Sequence, residues 1–147
     1  MSWVYLSRAL GLSFLLTACA APPPASVATG ASLYQRVGGE PALSLAMQKL
    51  LARVSKNPKI QHHFVHSDLE FLAQQLTLQF CQATGGPCVY DGPNMQRAHR
   101  GLHIKADEFE AMADDLQATL AELQVPAPEQ QALLRLFNSM KTDVILR

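Results

Sequence analysis

Net charge is what this chain has least of. Across 147 residues, 12 lysines and arginines stand against 12 aspartates and glutamates, a formal balance of 0. The basic residues are scattered and form no stripe, which excludes the electrostatic footprint of a nucleic-acid binder. Aromatic residues are few, at 7%. After the first residues, no apolar run approaches the roughly 20 residues that a bilayer-spanning helix needs. There is no internal repeat and no low-complexity tract beyond one linker. Outside the short stretch Cys88-Val89-Tyr90 there is no strand candidate either. A sheet-based fold is therefore excluded, and the expected class is all-α.

The start of the chain carries a targeting pattern rather than a fold. Arg8 precedes Ala9-Leu-Gly-Leu-Ser-Phe-Leu-Leu16, an apolar run too short for a stable membrane helix, followed by Thr17-Ala18-Cys19. Leu16-Thr17-Ala18-Cys19 resembles the lipobox of bacterial lipoprotein signal peptides, in which cleavage falls before the cysteine and that residue then carries the lipids. The resemblance implies a mature chain that begins at Cys19 and is tethered in the cell envelope, on the periplasmic side of the inner or outer membrane. Several acyl chains would hold it durably, since each buried methylene contributes roughly 0.8 kcal/mol. Residues Ala20 to Ala31, with three consecutive prolines and no charge, read as an extended linker. The expected organisation is a signal peptide over residues 1–18, a lipidated cysteine and flexible linker over 19–31, and one domain over 32–147.

Within that domain the apolar residues recur at helical spacing. Ser32 to Gly39 reads as a short helical turn stopped by a glycine pair. Leu43, Ala46, Met47, Leu50, Leu51 and Val54 predict an amphipathic helix over 42–55 that ends at Asn57-Pro58. Ser67-Asp68-Leu69-Glu70 fits a capping box and opens a helix to about Thr84, with Leu72, Leu76 and Phe80 on one stripe. Further helices are expected over 107–123 and 129–146, separated by Val125-Pro126-Ala127-Pro128. Cys81 and Cys88 flank Gly85-Gly86-Pro87. In an oxidising compartment they suit a disulfide, although the spacing also fits two free buried thiols.

Two histidine groups offer chemistry. His99 lies in Met95-Gln-Arg-Ala-His-Arg-Gly-Leu-His-Ile104, where a helix starting after Pro93-Asn94 would put it on one face with Met95. A neutral imidazole on an apolar wall can ligate haem iron or another metal if its second nitrogen finds an acceptor. His99 and His103, at i and i+4, could alternatively hold zinc or copper as a helical pair. Gly101 lies between them, and Arg100 stands where a zinc hydrolase motif has glutamate. His62, His63 and His66 surround Phe64 in a connector. No cysteine or second carboxylate lies near in sequence to complete a tetrahedral set, so a polar corner around a buried phenylalanine is the favoured reading.

Leu33-Tyr34-x-Arg36-x-Gly38-Gly39, Phe64, Gly85-Gly86-Pro87, Met95-x-x-Ala98-His99-x-Gly101-Leu102-x-Ile104 and Phe109, taken together and in order, resemble a group I truncated haemoglobin over residues 32–147. The resemblance implies a truncated globin of two helices on two around a b-type haem (iron protoporphyrin IX), held without a covalent bond. His99 matches the proximal iron ligand. Phe64 matches the phenylalanine packed on the porphyrin, Leu72 and Leu76 match distal-helix positions, and Met95, Ile104 and Phe109 match apolar contacts on the proximal side. Leu51 matches the distal position on the preceding helix.

The departures concern the gas. Many members place a tyrosine at the position of Leu51 and a glutamine at that of Leu76, both donors to the ligand; here both are leucine. Each missing donor forgoes roughly 0.5–1.5 kcal/mol, so oxygen is expected to leave quickly while carbon monoxide and nitric oxide lose little. Gln75 is turned about 100° from Leu76 on an ideal helix, and a rotation or register change would bring it in. It also replaces the lysine that usually anchors a haem propionate, leaving Arg97, Arg100 or His103 as substitutes. The expected function is reversible binding of diatomic gas, non-enzymatic or weakly enzymatic. Nitric oxide dioxygenation, or redox and gas sensing through a reductant protein, are elaborations. A peroxidase role lacks a distal acid or base.

Overall fold

The computed structural model describes residues 30–145. The expected signal peptide, the lipidation at Cys19 and nearly all of the linker lie outside the described residues.

Every regular element among the described residues is helical. Helix α1 (Leu33–Arg36) opens on a capping box: the Ser32 hydroxyl accepts from the Gln35 N–H, and the Gln35 side chain accepts from the Ser32 N–H. Gly38, at φ 99°, then turns the chain through the left-handed region into α2 (Gly39–Val54). Helix α2 buries the apolar set its period predicts, Leu43, Ala46, Met47, Leu50, Leu51 and Val54. A 3₁₀ turn over Gln61–Phe64 follows.

Helix α3 (Leu69–Ala83) is capped by Asp68 rather than by Ser67. The Asp68 carboxylate accepts the Phe71 N–H at 3.0 Å, whereas the Ser67 N–H is spent on the Phe64 carbonyl, closing the 3₁₀ turn. At the other end of α3 the Gly-Gly-Pro motif has a steric cause: a Cβ on Gly86 would fall 2.6 Å from both the Cys81 sulfur and the Tyr34 ring. Cys81 and Cys88 are joined in a disulfide across this turn.

Helix α4 (Met95–Ala98) is a single turn capped by Asn94, and α5 (Ala106–Glu122) follows. The last helix, expected as one element over 129–146, is two. Helix α6 (Ala127–Ser139) starts on Pro126 with Pro128 in its first turn, where no N–H is needed; α7 (Lys141–Val144) follows a break at Met140. The break coincides with a change of bonding. The Met140 N–H reaches back only to Phe137, and the Ser139 hydroxyl occupies the Leu136 carbonyl at 2.6 Å.

Helix α3 packs on α2, α5 on α6, and the two pairs meet where α2 crosses α5, giving two helices on two. Leu43, Met47, Leu50, Leu51, Leu116, Leu120 and Leu133 fill the centre. Each contributes roughly 1.5–3 kcal/mol of burial. In the core, Thr77 and Thr119 donate to carbonyls one turn back, and Glu129 pairs with Arg36 at 2.9 Å, fastening α6 to α1.

Candidate functional site

Between α3, α5, the C-terminal helices and the His99 segment lies a cavity of about 250 Å³. Its broadest wall is α3, which presents Leu72, Gln75, Leu76, Gln79 and Phe80. These positions follow i, i+3, i+4, i+7 and i+8, a single helix face. Phe109 and Phe137, stacked with centroids 4.6 Å apart, close the floor. Phe64 reaches the cavity from the 3₁₀ turn, and Met95, His99 and Ile104 from α4 and the segment that follows it.

The geometry of His99 follows from where α4 ends. His99 is its C-cap residue, half-buried, and its ring Nδ1 lies 2.8 Å from the Met95 carbonyl one turn back. A carbonyl only accepts, so Nδ1 carries a proton, and in the neutral ring the lone pair is on Nε2. That is the tautomer a metal ligand requires, with the second nitrogen held by a backbone acceptor.

The seven residues expected around the cofactor, Phe64, Leu72, Leu76, Met95, His99, Ile104 and Phe109, all line this one cavity. Leu51 does not: both it and its neighbour Leu50 are packed in the central core, but only Leu50 also borders the cavity. Leu51 stands about 100° round α2 from Leu50, outside the arc that borders the cavity. Gln75 lines the wall without any change of register, because the exposed face of α3 is wide enough to include the i+3 position. It makes no hydrogen bond among the described residues. Gln79 is turned instead toward two thioethers, 3.5 Å from Met95 Sδ and 3.7 Å from Met140 Sδ. The cavity is therefore less uniformly apolar than the leucine stripe suggested.

Tyr90 also lines the cavity, but its hydroxyl donates to the Pro93 carbonyl at 2.9 Å. Burial, and then the nearby Asp91 charge, push that phenol above its ordinary range, so it stays protonated. Arg97, Arg100 and His103 are exposed and none lines the cavity. His99 and His103 do not form a helical pair: the helix stops at Ala98, Gly101 turns at φ 81°, and His103 itself is left-handed at φ 51°.

The connector histidines behave differently from one another. His66 stands alone and exposed, whereas His62 and His63 each lie 3.3 Å from the carboxylate of Glu108 on α5. The backbone N–H of Lys105, bonded to that carboxylate at 2.8 Å, holds Glu108 below the usual carboxylate range; burial opposes this, and the two histidines add to it. Glu108, Gln79 and Leu50 were missed in the sequence. Gln79 was within reach as the i+7 position of the Leu72 stripe, but nothing local announces Glu108.

Residues 32–146 match the model of the bacterial-like globin family. This chain belongs to that family. The globin is 33% identical over 114 residues to the group 1 truncated haemoglobin of Tetrahymena pyriformis, covering 78% of this chain and 94% of that protein. It is 35% identical over 99 residues to the group 1 truncated haemoglobin of a Synechocystis species, covering 65% of this chain and 80% of that one. The crystal structure of the Tetrahymena pyriformis protein in its Fe(III) form superposes with a TM-score of 0.76 at 27% identity, over 80% of this chain and 100% of that one. A Synechococcus 2/2 haemoglobin in the cyanomet state, with covalently attached haem, superposes with a TM-score of 0.74 at 27% identity, over 78% and 98%.

Proposed function

We propose that this globin binds a b-type haem through Nε2 of His99 and takes up a diatomic gas on the α3 side. The observation that carries this reading is the hydrogen bond from His99 Nδ1 to the Met95 carbonyl, which leaves a lone pair on the nitrogen a metal would use. The residues present fit the group. Leu72, Leu76 and Phe80 on one side and Met95, Ile104 and Phe109 on the other are apolar surfaces suited to a flat macrocycle. Among the described residues no lysine or arginine lines the cavity, so charged propionates belong toward solvent, with the exposed Arg97, Arg100 and His103 as candidate partners. When bound, the haem supplies an iron centre able to take oxygen, carbon monoxide or nitric oxide.

The chain's own residues then set selectivity. With leucine at 72 and 76, and the Tyr90 hydroxyl occupied, the uncommitted donor on the α3 wall is the Gln75 amide. One amide in place of two donors favours fast release of oxygen over retention. Neither leucine can move a proton, which counts against peroxidase chemistry. Tethering through a lipidated Cys19 on the envelope side, with an external reductant, completes the reading; its support is the lipobox-like Leu16-Thr17-Ala18-Cys19.

Titration of the folded full chain with hemin tests the core of it. One equivalent should be taken up, with a Soret band that shifts under carbon monoxide after reduction; a chain that stays colourless in excess hemin overturns it. Fractionation of bacteria expressing the Cys19→Ser variant should move the protein out of the membrane pellet. Unchanged partition would remove the tether.

A further inference from the structure

We propose that His62, His63 and Glu108 form a second site, for a borderline divalent cation of the zinc type, in which His63 and Glu108 line the cavity that His99 also lines. In sequence the histidine pair lacked a carboxylate. The fold supplies one by laying the first turn of α5 against the 3₁₀ turn, so that the three donor groups lie within 4.8 Å of one another.

The distances suit a shared cation better than they suit hydrogen bonds. His62 Nε2 lies 3.3 Å from Glu108 Oε1, and His63 Nε2 lies 3.3 Å from Oε2. Zinc holds nitrogen and oxygen ligands at about 2.0–2.2 Å in a tetrahedron, which puts neighbouring ligand atoms roughly 3.3–3.6 Å apart; here each imidazole faces its own carboxylate oxygen, and the donor atoms, within 4.8 Å of one another, would draw in around the ion. A separation of 3.3 Å is long for a charge-assisted N–H···O bond, normally about 2.7–2.9 Å. Nε2 of His63 is in addition fully buried and has no hydrogen-bond partner, on a side chain only 13% exposed. A buried ring nitrogen that faces a carboxylate oxygen at 3.3 Å without a well-formed hydrogen bond is a group that a cation held between the two would satisfy.

The surroundings are those of a ligand set. The Lys105 N–H, 2.8 Å from Glu108 Oε2, fixes the carboxylate, the role an outer partner plays in metal sites. His62, 57% exposed, leaves its ring free to turn toward the ion. Two imidazoles and a carboxylate give three protein ligands, with the fourth position left for water. Imidazole and carboxylate together select zinc, cobalt, nickel or copper over calcium and magnesium.

The full chain, prepared metal-free and without hemin, should bind one equivalent of Zn²⁺ by calorimetry. Co²⁺ should give the intense visible bands of a four-coordinate site. Glu108→Gln keeps an oxygen for the Lys105 N–H, and His62→Ala removes an exposed side chain, so both variants should fold, as circular dichroism will report. Each should weaken Zn²⁺ binding at least tenfold, while His66→Ala leaves it unchanged. The absence of a stoichiometric Zn²⁺ site, or Glu108→Gln and His62→Ala variants that bind as tightly as the parent, overturns the proposal. Because no haem is added, either result is independent of whether His99 binds iron.

Discussion

Helix α2 buries six apolar side chains over its 16 residues, whereas α4, the single turn that leads into His99, buries none. The difference separates a scaffold from the segment it carries. Helices α2, α3, α5 and α6 are held by apolar area removed from water, which is non-directional and needs no particular partner. The His99 segment is held by directed bonds: Asn94 caps the turn at the Arg97 N–H, the Gln96 amide donates to Asp143 on α7, and His99 bonds to Met95. Four residues of helix are far too few to be stable by themselves. A ligand-bearing element of this kind has its geometry set by neighbours and by whatever His99 binds, and the four-helix scaffold does not depend on it.

The largest effect should come from His99→Ala. It is expected to abolish stoichiometric haem uptake in a spectral titration while leaving the helical circular dichroism of the unloaded protein intact; loss of helix would show that scaffold and segment are not separable. Next is the link between them. Cys81→Ser/Cys88→Ser opens a loop that joins the end of α3 to the approach to α4, and should cost about 2–3 kcal/mol in chemical denaturation, with hydrogen exchange rising mainly over residues 85–94. Distal substitutions are smaller. Leu76→Gln should slow oxygen dissociation by about three- to tenfold and Gln75→Leu should speed it by a similar factor, from roughly 0.5–1.5 kcal/mol per hydrogen bond. Stopped-flow mixing reads both, and equal rates in the two variants would mean that neither side chain reaches the gas.

The smallest effect belongs to the surface of the scaffold. Glu122 on α5 bonds Lys49 at 2.6 Å and Arg53 at 2.9 Å on α2, but all three side chains are well exposed. The Lys49 ammonium, and after it the Arg53 guanidinium, hold the Glu122 carboxyl below its ordinary value. A carboxyl whose folded value is depressed stabilises above its unfolded value, and that contribution disappears as pH falls through the folded one. Glu122→Gln should therefore leave the melting temperature nearly unchanged at neutral pH and in salt, and flatten only the acid limb of the stability profile.

How much was legible follows the same division. The α2, α3 and α5 faces could be read because burial imposes a period that local sequence records, and the cavity residues of α3 fall on one such period. The cap at Asp68, the break at Met140 and the retreat of Leu51 into the core could not, since each is decided by competition between neighbouring groups for one carbonyl, one N–H or one face. His99 was legible as a type of residue in a motif, but its tautomer was not.

By itself the sequence determined the all-helical class, the order of the helices and the apolar faces of α2, α3 and α5. These depend on residues a few positions apart, where the chain's own geometry fixes who meets whom. Only the tertiary structure decided that Gln75 shares the gas-side wall, that Leu50 rather than Leu51 faces it, and that Glu108 stands beside His62 and His63. Those groups are brought together by the crossing of helices whose packing is set by the whole core, and no local spacing encodes a contact between residues more than 40 positions apart.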